Sequence, residues 1–214
     1  MPDRPTRYPI SLNLSDQPVL VVGGGKVAAR KVLRLLRAGA QVTLVSPVVT
    51  EELEALATAG ALRWLGRAFH ARDVAGKALV FTATGREDTD RAVASSARAV
   101  GTLVNSADQA VAGDFDLPAL LERGPLQVAV STSGAAPGFA ATLARELSAS
   151  VPEELGTYVE LLDEVRLALR ERFAEDGGAR QKRFAAALAC DEARAHAAAG
   201  RVDQARQALR DASR

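Results

Sequence analysis

The chain has 214 residues, and its 27 lysines and arginines nearly balance its 26 aspartates and glutamates, for a net charge of +1. This balance gives no indication of a nucleic-acid or membrane partner, and no apolar run approaches the roughly 18 residues that a membrane span requires. The single cysteine, Cys190, excludes a disulfide within the chain and suits a cytoplasmic protein. His70 and His196 are too few to predict a histidine-built metal site.

One stretch near the amino terminus carries a nucleotide-binding pattern. Val19 to Val22 is continuously apolar, as expected for a parallel strand that is covered on both faces. The segment Gly23–Ala28 follows and fits G-x-G-x-x-A, in which Gly23 permits the tight turn and Gly25 lets a pyrophosphate approach the backbone. The alternative is a plain structural turn, but the strand before it and the helical spacing after it favour a dinucleotide site.

Strands and helices alternate over the first half of the chain. After Tyr8–Leu14, which we expect at a sheet edge, strands are predicted at residues 19–22, 41–45, 61–65, 78–84 and 102–105. Helices separate them, so the pattern predicts an α/β fold with right-handed crossovers and a Rossmann-type parallel sheet. Ligands of such sheets bind outside the carboxyl ends of the strands. Those ends hold Gly23 to Gly25, Ser46, Thr84 and Asn105.

The pattern changes after Asp108. Gly124-Pro125 lies between two apolar runs and predicts a β-hairpin, and the small-residue loop Thr132–Pro137 leads into a helix. From Ser150 onwards the sequence is helical. It carries an apolar stripe from Leu155 to Leu169, which helix packing or a dimer interface would explain.

The ends of the second and fourth strands suggest cofactor contacts. Ser46-Pro47 stands where an Asp or Glu usually binds the adenosine ribose. A serine can bond to a hydroxyl and does not repel a 2′-phosphate, so this position leaves NAD and NADP both open. Thr84 would lie near the pyrophosphate or the nicotinamide. In the first helix Lys26 lies beside the glycines. The spacing of Arg30, Lys31 and Arg34 predicts that they lie on a solvated face of that helix.

Two further sets of residues could take part in catalysis or in substrate binding. Asp108 follows the fifth strand, where a carboxylate at the sheet crevice could act as a general base, but an ordinary solvated loop aspartate fits equally well. Ser131, Thr132 and Ser133 could bind an anionic substrate with help from the N–H groups of their loop. Their alternative role is simple turn and capping chemistry.

The chain resembles the precorrin-2 dehydrogenase family, which also includes the amino-terminal half of multifunctional sirohaem synthases. The resemblance rests on motifs that occur in the family's order: Tyr8-Pro9, Val21–Ala28 with Arg30-Lys31, Val45–Pro47, Ala83-Thr84, Val104-Asn105 with Asp108, Phe115 with Pro118-Ala119, Arg123–Leu126, and Val130–Gly134 with Pro137. This set is far more specific than the glycine turn alone.

The resemblance implies NAD-dependent oxidation of precorrin-2 to sirohydrochlorin, a step towards sirohaem, by a homodimer. Some relatives also insert ferrous iron into sirohydrochlorin. Asp108 is the implied catalytic base, and no resident metal, nucleic acid or membrane is implied. The implied cofactor contacts are Gly23, Gly25, Lys26, Val27, Ser46, Pro47, Val48 and Thr84. The implied substrate-binding residues are Asn105, Ser131, Thr132 and Ser133.

With this resemblance, we expect three parts. An NAD-binding Rossmann domain is expected over residues 1–112, a small β-containing dimerisation and substrate segment over 113–148, and a helical carboxyl-terminal domain over 149–214.

The chain departs from the family at Gly85, where relatives often carry Asp or Asn, and at Ser133 and Ala136, which are often Gly and Ser. We expect no methyltransferase-like carboxyl-terminal domain and therefore no uroporphyrinogen methylation. Two other functions stay open on the sequence: an NAD-binding regulatory module without catalysis, and a chelatase without dehydrogenase activity.

Overall fold

Five parallel strands form the central sheet of the first half of the chain. They are β1 (Pro18–Val22), β2 (Gln41–Val45), β3 (Arg63–Leu65), β4 (Leu79–Thr82) and β5 (Leu103–Ser106). Their order across the sheet is β3-β2-β1-β4-β5, so the predicted Rossmann-type sheet is confirmed. The structure is a computed structural model that describes residues 7–107 and 113–214. It divides into one unit that ends at Leu117 and a second that begins at Pro118.

Both faces of this sheet are covered, which explains its continuously apolar strands. One face packs against α1 (Lys26–Arg37) and α2 (Glu51–Thr58), and the other against α3 (Glu87–Ala99) and a short 3-10 helix, Ala71–Val74. Alternate side chains of β1 pack into the two cores. Val19 and Val21 lie on the α1 face of the sheet, and Leu20 and Val22 lie on the α3 face.

The register of β4 sets which chain segments meet at the carboxyl edge of the sheet. Thr82 at the end of β4 pairs with Val22 on one side and with Ser106 on the other. Because neighbouring strands lie about 4.8 Å apart, the ends of β1 and β5 are separated by about 10 Å. The glycine turn follows Val22 directly, so the turn and the end of β5 lie at the same edge.

The segment before β1 differs from the sequence expectation. Tyr8–Leu14 was expected at a sheet edge but is not part of the sheet, whose edges are β3 and β5. On α3, Val100 is 55% exposed, because the helix ends at Ala99. Asp90 of the same helix is a carboxylate in a fully buried position.

The second unit begins with the predicted hairpin. Strands β6 (Ala119–Arg123) and β7 (Leu126–Val130) pair antiparallel around Gly124-Pro125. The remaining elements are helical: α4 (Pro137–Ser148), α5 (Glu154–Arg172), α6 (Gly177–Leu188), α7 (Asp191–Ala198) and α8 (Val202–Ala212). The predicted small β-containing segment and helical region are therefore confirmed.

The apolar stripe of α5 is buried within this unit. Tyr158, Val165 and Leu169 lie in one core with residues of α6, α7 and α8. Packing inside one chain therefore accounts for the stripe. Cys190 was expected inside a helix, but it lies between α6 and α7, half-buried against the same core.

A close backbone approach joins α5 to the hairpin. A methyl group added at Gly156 would lie 2.5 Å from the Arg123 carbonyl oxygen and 2.7 Å from its carbon. These atoms belong to the backbone and cannot rotate away. Gly156 is therefore the residue that lets α5 cross the end of β6.

We predict that Gly156→Ala lowers the free energy of unfolding by about 1–3 kcal/mol, because overpacking forces the helix away from the hairpin. The matched control is Gly138→Ala in α4, where an added methyl group meets nothing within 4 Å; this change should be neutral or stabilise by up to about 1 kcal/mol. Urea unfolding followed by circular dichroism measures both. Equal midpoints for the two variants would contradict the close approach.

Candidate functional site

The three glycines after β1 have different physical roles. Gly23 has a φ of +120°, and a Cβ there would lie 2.3 Å from the Ala83 carbonyl oxygen. A Cβ on Gly24 would lie 2.0 Å from the Val48 carbonyl oxygen. Both residues are glycine because the turn packs against the loops that follow β4 and β2. Gly25 differs from them, because a Cβ at this position would meet nothing within 4 Å.

The open side of Gly25 coincides with the start of α1. Gly25 is the N-cap of that helix, its first turn contains no acidic residue, and Lys26 and Val27 are exposed. The first backbone N–H groups of a helix have no partner within it, and the helix dipole adds a partial positive charge there. An unobstructed surface, free N–H groups and a nearby lysine fit a dinucleotide pyrophosphate.

The loop after β2 is held by its own serine. Ser46 is 8% exposed, and its Oγ donates a hydrogen bond to the Val48 carbonyl oxygen at 2.6 Å. The Ser46 carbonyl oxygen accepts a hydrogen bond from Trp64 Nε1 at 2.9 Å. The Ser46 hydroxyl proton is thus already bonded, and only the oxygen lone pairs remain for a ligand. Pro47 and Val48 are exposed beside the glycine turn.

The loop after β4 is held by a buried carboxylate that sequence reasoning missed. Asp90 Oδ1 accepts hydrogen bonds from Thr84 Oγ1 at 2.6 Å, from Thr84 N at 3.2 Å and from Thr82 Oγ1. Asp90 Oδ2 is buried and has no partner among the described residues. Asp90 fixes Thr84 where the strand leaves the sheet, beside Gly23. The available signal was its helical spacing with Val93 and Ala97, which places it on the inward face.

Asn105 lies at the end of β5 and is 4% exposed. Its Oδ1 accepts a hydrogen bond from Lys31 Nζ at 2.6 Å, and its Nδ2 donates to the Phe115 carbonyl oxygen at 2.8 Å. Lys31 Nζ also lies 5.5 Å from the centre of the Phe81 ring. The expectation that Lys31 belongs to a solvated face is wrong. Helical periodicity alone did not reveal this polar partner on the adjoining sheet.

Asp108 lies outside the described residues, but the chain on both sides of residues 108–112 is described. Ala107 N donates a hydrogen bond to the Thr82 carbonyl oxygen at 3.0 Å. After the gap, Asp114 returns to β5, where its N donates to the Val104 carbonyl oxygen at 2.8 Å and its Oδ2 accepts from Val104 N at 2.9 Å. Both ends of this segment are therefore anchored at β4 and β5.

Ser131, Thr132 and Ser133 form the loop before α4 in the second unit. Thr132 Oγ1 accepts a hydrogen bond from Ala136 N at 3.0 Å, and Ser131 Oγ accepts one from Ser133 N at 3.2 Å. Ser133 has a φ of +51°, a left-handed conformation that glycine adopts more easily. The loop therefore uses two of its hydroxyl oxygens to hold its own backbone.

Two other features are absent from residues 7–107 and 113–214. Within those ranges, no three side chains of histidine, cysteine, aspartate or glutamate are grouped so that they could hold a metal ion. No helix there combines the length and the apolar character that crossing a bilayer demands.

Comparisons with known proteins identify families and relatives that the chain matches. Residues 10–119 match the family described as "Putative NAD(P)-binding", and residues 123–150 match "Sirohaem biosynthesis protein central". Siroheme synthase 1 of Aeromonas salmonicida is 41% identical over 173 residues, and Siroheme synthase of Neisseria meningitidis serogroup C is 39% identical over 165. These alignments cover 81% and 77% of this chain but 37% and 34% of the two relatives, so the chain spans little more than a third of their length.

A solved structure, "SirC, precorrin-2 dehydrogenase", is similar over nearly the whole chain. Its TM-score is 0.77 at 26% sequence identity, and the match covers 96% of this chain and 98% of that one. The structural similarity extends over the helices after α4, which lie beyond both family matches. Since the sheet, the hairpin and the helices all correspond, and the sequence matches run from the glycine turn into α4, the chain belongs to the precorrin-2 dehydrogenase and sirohaem synthase family.

Proposed function

We propose that this chain oxidises precorrin-2 to sirohydrochlorin with NAD as the hydride acceptor. The observation that carries the proposal is the register of β4 between β1 and β5. It brings the cofactor turn after Val22 within about 10 Å of the strand that leads to Asp108. Such an oxidation needs residues that hold the hydride acceptor and a residue that accepts a proton.

Different residues would bind the cofactor and accept the proton. Bound NAD supplies the hydride-accepting nicotinamide. Gly23, Gly25, Lys26 and Val27 would hold the pyrophosphate, and the side chains beside it would be Ser46, Pro47, Val48 and Thr84. Asp108 would take the proton that leaves the substrate with the hydride. A carboxylate suits that task because it is ionised near neutral pH.

The substrate is a tetrapyrrole with carboxylate side chains, so its site needs hydrogen-bond donors. Asn105 and the loop Ser131, Thr132 and Ser133 are the proposed substrate-binding residues. The hydroxyl protons of Thr132 and Ser133 donate no hydrogen bond within the described residues, which supports this assignment.

The proposed organisation is an NAD-binding domain over 1–112, a dimerisation and substrate segment over 113–148 and a helical domain over 149–214. We propose a homodimer that works in the cytoplasm, as the single cysteine suggests. Insertion of ferrous iron into sirohydrochlorin is a second proposed activity, in which Asp108 would accept pyrrole N–H protons.

The first test is the reaction itself. Purified protein incubated anaerobically with precorrin-2 and NAD should produce the absorbance of sirohydrochlorin. A parallel incubation of sirohydrochlorin with ferrous iron or cobalt, without NAD, separates chelatase activity from dehydrogenase activity. NAD binding without any tetrapyrrole chemistry would instead indicate a regulatory module and would remove the proposal.

We predict that Gly25→Ala weakens NAD binding by about tenfold or more, because the new methyl group occupies the space in front of α1 where the pyrophosphate approaches. Its fold should be unchanged, since that methyl group touches no protein atom within 4 Å. Gly138→Ala is the control, because it also adds an unobstructed methyl group near a helix start. Calorimetric titration with NAD measures the difference, and equal affinities would place the pyrophosphate elsewhere.

We predict that Asp108→Asn reduces the rate of precorrin-2 oxidation by roughly 100-fold or more and leaves the NAD affinity unchanged, because an amide cannot accept the proton. Asp203→Asn in α8, whose side chain is 99% exposed, removes a carboxylate elsewhere and should keep the wild-type rate. Steady-state kinetics under anaerobic conditions compare the two. A wild-type rate in Asp108→Asn would exclude Asp108 as the base.

A further inference from the structure

Lys31 presents a half-buried ammonium group on the α1 face of the sheet. Its Nζ donates a hydrogen bond to Asn105 Oδ1 at 2.6 Å and lies 5.5 Å from the centre of the Phe81 ring. The Phe81 ring is in turn in edge-to-face contact with the Phe115 ring, with centroids 5.5 Å apart. Nζ is thus held in one place by a fixed amide and by an aromatic face.

This ammonium has no counter-charge among the described residues. One of its three N–H donors is used by Asn105, and the described residues supply no acceptor for the other two. No carboxylate within residues 7–107 and 113–214 forms an ion pair with it. A partly buried cation without an anion is costly, because one amide oxygen and an aromatic ring replace only part of its lost hydration.

The groups around Lys31 act against its charge. Burial, together with the like charges of Arg30 and Arg34 on its own helix, lowers the pKa of Lys31 from 10.5 to about 8. The facing residues of β4 and β5, Phe81 and Asn105, do not titrate.

Two described carboxylates that follow β5, Asp114 and Asp116, are already engaged. Asp114 Oδ1 is 2.8 Å from Arg98 Nε, and Asp116 Oδ2 is 3.0 Å from Arg7 Nε. They are therefore not available as the missing anion.

We propose that Lys31 is a substrate-binding residue whose ammonium group receives one carboxylate of the tetrapyrrole, with Asn105 fixing its direction. This inference rests on the proposed function. We assign this anion to the substrate and not to the cofactor because of where Lys31 lies. Lys31 lies five residues into α1, about 7.5 Å along the axis from the helix start where the pyrophosphate would bind. It also faces β5, whereas the cofactor loops follow β1, β2 and β4.

The experiment compares Lys31→Met, Lys31→Arg and the wild type. Methionine keeps the length and packing of the side chain and removes its charge, whereas arginine keeps the charge. Arg34→Met is the matched control, because it removes an exposed cation from the same helix one turn further on. We expect Lys31→Met to raise the KM for precorrin-2 by roughly 10- to 100-fold, the effect of one charge-assisted hydrogen bond. Lys31→Arg and Arg34→Met should stay near the wild type.

The pH dependence separates substrate binding from a structural role. In the wild type, the KM for precorrin-2 should rise as the pH increases through about 8, because the free ammonium group then loses its proton. The substrate carboxylates stay ionised over this range and add no pH dependence of their own. The rise should be absent in Lys31→Arg, which stays charged, and in Lys31→Met, whose KM should be high at every pH.

A second measurement does not need turnover. The protein is titrated with sirohydrochlorin, and binding is monitored by the change in absorbance of sirohydrochlorin. If the wild type binds sirohydrochlorin and Lys31→Met does not, Lys31 holds the tetrapyrrole even where oxidation of precorrin-2 is not observed. Equal binding by the two proteins overturns the role of Lys31 and leaves the proposed function standing. A loss of NAD affinity or of thermal stability in Lys31→Met that Lys31→Arg shares also overturns it, as does a wild type that binds no tetrapyrrole.

Discussion

The hydrogen-bonded pairing of β4 with both β1 and β5 is the constraint on which the proposed chemistry depends. Thr82 lies opposite Val22 and Ser106, so the segments that leave these strands emerge at one edge of the sheet. A slip of this register would move the glycine turn and the end of β5 apart and would exchange the buried faces of β4. The apolar cores on both sides of the sheet oppose such a slip, because every side chain of β4 is buried.

The cofactor turn shows how one motif combines packing with ligand space. Gly23 and Gly24 are held against the loops after β4 and β2, where any side chain would collide with carbonyl oxygens. Gly25 alone faces open space at the start of α1. Asp90 extends this arrangement, because its buried carboxylate fixes Thr84 beside Gly23. The turn is therefore preorganised by its neighbours, and ligand binding need not order it.

The second unit depends on different interactions. The apolar stripe of α5 packs within one chain, against α6, α7 and α8. The hairpin of this unit contacts α5 at Gly156. Arg123 joins the hairpin to the segment before α5, because its Nε donates a hydrogen bond to the Val151 carbonyl oxygen at 2.9 Å. Before α4, Ser133 adopts a left-handed conformation within the proposed substrate loop. This loop thus accepts some backbone strain at Ser133, in a conformation that glycine adopts more easily.

The sequence by itself determined the order of strands and helices, the glycine turn and the hairpin, because these follow from local periodicity and from residues adjacent in the chain. It also placed Ser46, Thr84 and Asn105 at strand ends. Only the tertiary structure decided what those side chains touch. Lys31 and Asn105 are 74 residues apart, and they meet because α1 packs on the sheet so that the Lys31 side chain extends past Phe81 of β4 to Asn105 of β5. Helical spacing can show that Asp90 approaches the sheet, but it placed Lys31 on a solvated face. The partner that each one meets depends on strand order and register, which no local pattern contains.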